Sequence, residues 1–265
     1  MERTFDSPFC AVFDDVLPPD DLQRLFEYFR SIDFKFVHET RANMPKRLQS
    51  GYKRAWRLDE GGALTGSGFA AFALPDEQLP PEIRAIGRTW AEERDTKFYP
   101  SGTVMDLFLA PLKRLAAEEL TPWVGRPGAD WIAFTAAPYV HPAGVGMSWH
   151  ADEVLYTGAF SFFVHPEWDA EFGGEFLIYD DAVKARVPDN WRNRRFDPLA
   201  VPAPVHPQAD CTAGRFIAPI PNRLIVIKRG LMHKVNKVSP LAGSHVRASV
   251  TGFFLDTAVA GRVMG

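Results

Sequence analysis

Seven histidines stand in this chain of 265 residues: His38, His141, His150, His165, His206, His233 and His245. His150 is followed two positions later by Asp152. In an extended strand residues i and i+2 point to the same face, about 7 Å apart along the backbone, so an imidazole and a carboxylate at this spacing can converge on one metal ion. The same triplet at a surface is an ordinary salt bridge, and the spacing alone does not choose between the two. Cysteine content narrows the chemistry further. Cys10 and Cys211, the only cysteines, are far apart in the chain and make neither a disulfide framework nor a thiolate zinc cluster. A protein-bound metal must therefore take nitrogen and oxygen ligands.

The elements that would position these residues change character along the chain. Pro18-Pro19-Asp20-Asp21 followed by Leu22, Leu25, Phe26, Phe29 and Ile32 has the start signals and spacing of an amphipathic helix. Two further helical patterns run from Pro81 to Phe98 and from Thr103 to Leu120. Between the first helix and these lie a basic stretch from Arg41 to Arg57 and a glycine-rich stretch from Gly61 to Gly68, read as loop and short strand. From Trp131 onward the runs become short, aromatic and β-branched: Trp131 to Tyr139, Ala159 to His165, Glu175 to Tyr179, Gly214 to Ala218, Arg223 to Lys228, and His245 to Leu255. Such runs, separated by Gly, Pro and Asp, predict a sandwich or jelly roll rather than a parallel α/β sheet. The expected architecture is α+β, mainly β: one domain over 1–265, with a largely helical region at 1–129 packed on one sheet of a jelly-roll core at 130–256. An aperiodic, proline-rich segment at 181–215 interrupts that core as a lid or a disordered insertion.

Composition excludes some partners. Lys and Arg number 30 against 33 Asp and Glu, a formal net charge of −3, which offers no global attraction to nucleic acid. The N-terminus carries acids and no long apolar run, and no stretch reaches the roughly 18 uncharged residues of a membrane span. No membrane partner and a cytoplasmic location are the resulting expectations; the oligomeric state stays open.

The context of His150 adds more. Tyr139-Val140-His141-Pro142-Ala143-Gly144 leads into Trp149-His150, Gly173-Gly174-Glu175-Phe176 precedes a strand, and Pro221-Asn222-Arg223-Leu224-Ile225-Val226-Ile227 runs through a short turn to His233-Lys234-Val235. The final run is His245-Val246-Arg247-Ala248-Ser249-Val250-Thr251-Gly252-Phe253-Phe254. Motif by motif, over roughly 130 to 256, this resembles the Fe(II)/2-oxoglutarate-dependent dioxygenases of the prolyl-4-hydroxylase-like branch, whose core is a double-stranded β-helix. The resemblance implies that His150, Asp152 and His233 are both the metal ligands and the catalytic centre. Two imidazoles and a carboxylate on one face of a metal leave positions open, as non-haem Fe(II) oxygen chemistry requires. It implies too that Arg247 grips the far carboxylate of 2-oxoglutarate, a task suited to a planar guanidinium. Ser249, on the same strand face, adds a hydroxyl, and the phenol of Tyr139 contacts the co-substrate. In related halogenases a small residue replaces the carboxylate ligand, so Asp152 implies hydroxylation or a related oxidation instead. The bland readings are assigned elsewhere: Gly173-Gly174 to a tight turn, His165 and Trp168 to packing, and His141, His206 and His245 to no role at the metal.

The implied activity is a 2-oxoglutarate-dependent hydroxylase that uses Fe(II) and O2, with ascorbate as a candidate reductant, and releases succinate and carbon dioxide. The expected substrate is a small metabolite, an amino acid or natural-product intermediate. Lys184, Arg186, Arg192, Arg194 and Arg195 against Asp189 and Asp197 give the insertion a local balance of +3, which suits an anionic or zwitterionic molecule; a solvated basic loop fits as well. Two other readings stay open: a hydroxylase of a protein residue such as proline, and a cupin-like jelly roll without oxygenase activity, which would have no use for a guanidinium at position 247.

Overall fold

The computed structural model describes residues 1–36, 64–66, 70–75, 97–152, 156–179 and 214–257. The described elements run in the order β1 (Glu2–Asp6), β2 (Cys10–Asp14), α1 (Pro19–Ser31), β3 (Phe34–Phe36), β4 (Leu64–Gly66), β5 (Ala70–Ala73), β6 (Lys97–Phe98), α2 (Asp106–Glu118) and α3 (Thr121–Val124). They continue with β7 (Trp131–His141), β8 (Met147–His150), β9 (Tyr156–Phe163), β10 (Phe176–Tyr179), β11 (Gly214–Ile217), β12 (Leu224–Lys228), β13 (His233–Val235) and β14 (Arg247–Asp256). No described helix is long and apolar enough to cross a membrane.

These strands form two sheets. The larger has ten strands in the order β1-β2-β12-β9-β14-β7-β4-β3, with β5 also paired to β7 and β6 to β5; the smaller has the order β11-β10-β13-β8. Cys10, Val12, Ala159, Phe163, Ile225 and Ile227 of the larger sheet pack against Phe176, Ile178, Ile217 and Val235 of the smaller, so this cluster is the filling of a sandwich. On the other side of the larger sheet, Phe134, Phe160, Phe162, Val226, Val250 and Phe254 pack against Leu25 and Phe29 of α1 and Phe108, Leu109 and Leu112 of α2. The mainly β jelly roll with helices on one sheet follows from the alternation of these strands, whose two faces are both apolar because both are covered.

β14 shows the division residue by residue. Ala248, Val250 and Phe254 join the helix-side core, whereas Phe253 joins the filling of the sandwich. Arg247, Ser249 and Thr251 share the parity of Phe253 and so look into the sandwich. Gly252 allows the strand its place: a Cβ there would land on the Thr135 carbonyl oxygen of β7 and 2.5 Å from the Phe160 ring.

The N-terminal region departs from its sequence pattern. Residues 1–129 contain β1 to β6 in addition to the helices, and β1 and β2 extend the larger sheet. β2 pairs with β12, and Arg223 clamps the junction by donating from Nε and Nη2 to the two carboxylate oxygens of Asp14 at 2.6 and 2.8 Å. The helix expected over Pro81 to Phe98 ends differently: Lys97–Phe98 is strand, paired with β5, and the rest lies outside the described residues. So do the basic stretch from Arg41 to Arg57, the glycine-rich stretch apart from β4, and the 181–215 segment apart from Gly214 and Arg215.

Two outcomes follow for stability. Gly252→Ala should destabilise the fold by about 3 kcal/mol, because the clash is with backbone that cannot rotate away; urea unfolding should show a lower midpoint. Arg223 holds the Asp14 carboxyl below its ordinary value of 3.8, with burial opposing. A carboxylate whose folded pKa is depressed adds stability above its unfolded pKa and loses it as pH falls through the folded one. Stability against pH below about 4 should therefore fall less steeply in Arg223→Met than in the wild type.

Candidate metal centre and anion pocket

The smaller sheet brings the chemistry-bearing residues together. His150 ends β8 and His233 begins β13, and the two are direct partners across the antiparallel pair. Their rings lie 4.1 Å apart between centroids. Asp152 follows β8 by two residues, its carbonyl accepting from Gly230 N at 3.2 Å, and its Oδ2 lies 3.5 Å from His233 Nε2. One ligand atom from each of His150, Asp152 and His233 falls within 4.8 Å of the others; among the described residues this is the group that could share an ion. His233 is buried and the other two are half-buried, so the cluster has a closed side and an open one.

His233 is oriented for coordination. Its Nδ1 lies 2.8 Å from the Leu231 carbonyl oxygen, which can only accept, so Nδ1 carries the proton and Nε2 presents its lone pair toward Asp152. Phe176 of the neighbouring β10 stacks on the same ring at 5.1 Å and 17°. Burial, helped by the His150 charge and opposed by the Leu231 hydrogen bond, holds the His233 imidazole well below its ordinary 6.5, and so neutral. Burial also pushes the Asp152 carboxyl up, with His150 pulling the other way. A divalent cation would supply a countercharge to this desolvated carboxylate. The donor set, its tautomer and its open side fit Fe(II).

Arg247 comes from the larger sheet. Only 1% of its surface is exposed, yet its Nε and Nη2 have no hydrogen-bond partner. Its guanidinium lies over the Phe163 ring at 4.7 Å, and its Cδ is close enough to Gly174 that a Cβ there would approach it to 2.9 Å. The side chain thus crosses the sandwich to the residues that lead into Phe176 and the metal cluster. Burial pushes the guanidinium down to about 9, opposed by the charge of Glu175, and it remains protonated at neutral pH. A buried, charged fork with an unused Nε/Nη2 edge is matched by a carboxylate held bidentately.

The other expected residues lie on the same inner face. Ser249 is fully buried and stands opposite both Tyr139 of β7 and Phe163 of β9. A run of hydroxyls follows it, with Ser249 Oγ 3.4 Å from Thr251 Oγ1 and Thr251 Oγ1 2.9 Å from Ser161 Oγ. His165 lies past the end of β9, with its ring nitrogens 3.2 Å from the Ala248 carbonyl and 2.6 Å from that of Pro219. His245 is at the surface, 3.5 Å from Glu167. His38 and His206 lie outside the described residues.

Two residues near the centre carry more than the sequence reading gave them. His141, set aside there, is buried directly opposite Arg247. The signal was available, since it stands two residues after Tyr139 on one strand and so shares its face. Gly174, read as part of a tight turn, has a positive φ of 72° and also lines the Arg247 side chain.

The same fold is found in solved structures. A prolyl hydroxylase from Trichoplax adhaerens, in complex with a peptide fragment of the hypoxia inducible factor oxygen degradation domain, matches with a TM-score of 0.53 at 12% identity, over 97% of this chain and 87% of that one. A Pseudomonas putida prolyl-4-hydroxylase matches at 14% identity and TM-score 0.49 over 93% and 92% of the two chains. HygX from Streptomyces hygroscopicus, with nickel and 2-oxoglutarate bound, matches at 10% and 0.43 over 93% and 82%. At these identities the likeness is one of fold, and it places the chain in the jelly-roll class of the Trichoplax protein. No protein-family model and no curated protein sequence matches the chain.

Anaerobic calorimetry should detect one Fe(II) or Mn(II) per chain. His233→Ala and Asp152→Ala should each weaken this by at least about 100-fold, since even groups that only orient a ligand are worth 10- to 100-fold. The wild-type affinity should fall in acid solution, where protons compete with the metal for its ligands.

Proposed function

We propose that this chain is an Fe(II)- and 2-oxoglutarate-dependent oxygenase that hydroxylates an unactivated C–H bond of a small anionic or zwitterionic metabolite, such as an amino acid or natural-product intermediate. The observation that carries the reading is the pairing of His150, Asp152 and His233 with Arg247, a buried cation whose carboxylate-gripping edge is unused, in one sandwich. A jelly roll that handled no dicarboxylate would gain nothing from desolvating a guanidinium there. What supports an anionic substrate is the basic run Lys184 to Arg195, which follows β10 in the sequence.

His150, Asp152 and His233 would hold the metal. When bound, Fe(II) with 2-oxoglutarate and O2 supplies the oxidation, in which the co-substrate becomes succinate and carbon dioxide and the substrate C–H becomes C–OH. The chain contributes position and environment. Arg247, with Ser249 and Tyr139 on the same face, holds the co-substrate, its guanidinium fixed against Phe163 before binding, so little side-chain entropy is lost on binding. The Leu231 carbonyl keeps the His233 ring in one orientation and one tautomer. Phe163 and Phe176 make the buried wall apolar and exclude water there, while half-buried His150 and Asp152 leave the substrate an approach.

Anaerobic addition of Fe(II) and 2-oxoglutarate should produce the visible charge-transfer band of the chelate. The band should be lost in Asp152→Ala, whereas in Arg247→Ala it should require at least about tenfold more co-substrate with metal affinity unchanged. Metal binding without a band at any 2-oxoglutarate concentration overturns the oxygenase reading. Succinate release across a panel of amino acids, other metabolites and proline-containing peptides then separates a metabolite substrate from a protein one.

A further inference from the structure

His141 has a polar problem that mirrors that of Arg247. Its side chain is 3% exposed, and neither Nδ1 nor Nε2 makes a hydrogen bond of ordinary geometry, although the Arg247 backbone interacts with the ring. Burying an imidazole with both nitrogens unsatisfied costs free energy that a packing role alone would not justify, because Leu or Phe would fill the space without it. The strand register sets His141 directly opposite Arg247 across the β7–β14 pair, and directly opposite residues point to the same face with Cβ atoms roughly 5 Å apart. Two neighbouring side chains, both desolvated and both with unused N–H groups, thus look into the same side of the sandwich. What satisfies both at once is a shared acceptor.

The Phe163 ring narrows the choice, since it covers a face of the Arg247 guanidinium and leaves contact to the edge carrying Nε and Nη2. A carboxylate gripped on that edge keeps lone pairs that the guanidinium does not use.

We propose that His141 is a second anchor for the carboxylate that Arg247 grips, donating one ring N–H to the far end of the 2-oxo acid co-substrate. The inference rests on the oxygenase reading and adds a residue to its co-substrate site. His141 donates as a neutral imidazole: burial first, then the Arg247 charge, hold it down to about 3, opposed by hydrogen bonding toward the Arg247 backbone. The arrangement selects for a 2-oxo acid with a second carboxylate. A 2-oxo acid lacking it would leave both His141 and Arg247 buried and unpaired, and a site with stranded polar groups discriminates strongly.

The experiment is calorimetric titration of the Mn(II)-loaded protein with 2-oxoglutarate and, separately, with 2-oxobutyrate, which lacks the distal carboxylate. His141→Phe should weaken 2-oxoglutarate binding about 10- to 100-fold while leaving Mn(II) affinity, thermal stability and 2-oxobutyrate binding within about twofold. His141→Gln, which restores a donor, should recover part of the loss. Equal 2-oxoglutarate affinity in wild type and His141→Phe overturns the proposal, as does a parallel loss for both acids or a loss of fold in both variants, either of which assigns His141 to packing. Failure of the wild type itself to bind 2-oxoglutarate is a different result and removes the oxygenase reading beneath it.

Discussion

β14 is hydrogen-bonded on both edges, to β7 and to β9, and its two faces have opposite duties. One supplies Ala248, Val250 and Phe254 to the packing against the helices; the other carries Arg247, Ser249 and Thr251 into the sandwich. Because side chains alternate with period two, a slip of one residue would bury Val250 among polar groups and press a guanidinium against Phe108 and Phe162. The apolar layer under the helices therefore fixes the position of the charged group on the other side. Gly252 belongs to the same constraint, since only a residue without a side chain lets β14 run so close to the Thr135 carbonyl.

The smaller sheet has a matching economy. His150 and His233 need no loop to bring them together, because cross-strand pairing does so. The backbone also sets the chemistry of the ring, through the Leu231 carbonyl at His233 Nδ1. Both sheets present groups whose charged forms burial disfavours: carboxylate and imidazole on one side, guanidinium on the other. A cation at the first and an anion at the second would relieve these penalties together, and a metal-chelating dicarboxylate is one chemical species that addresses both.

Much of this was legible in the sequence. His150 and Asp152 stood out by their spacing, and the resemblance to the prolyl-4-hydroxylase-like dioxygenases implied them as ligands with His233 and implied Arg247 as the carboxylate grip; the structure brings the first three within reach of one ion and buries the fourth. The strands from Trp131 onward could be read because apolar runs and turn residues alternate there. β1 was not legible, because it is an edge strand, largely exposed, whose residues Glu2–Asp6 have no apolar period. β2 reads as apolar, but its partner β12 lies more than two hundred residues away, and local pattern does not encode so distant a pairing. His141 was missed for another reason. Its place two residues after Tyr139 puts it on the same strand face, but a histidine without ligand spacing is usually packed or solvated, and its deep burial beside Arg247 is what sets this one apart.

The Asp14–Arg223 clamp has a consequence for how the molecule comes into being. β1 and β2 pair with each other, but this hairpin joins the larger sheet only through β12, so it has no sheet to dock on until residues 224–228 have followed. His233 and Arg247 emerge later still. Pairings of such long range must close large loops before any contact repays the lost entropy, which makes sheet completion a slow and late event. Until then Cys10, Ala11, Val12 and Phe13, all buried in the finished protein, form a strand paired on one edge alone, with its apolar side chains uncovered. Open strand edges and uncovered apolar surface of this kind invite misassembly, and the metal cluster and Arg247 come together only once residues 233–247 are available.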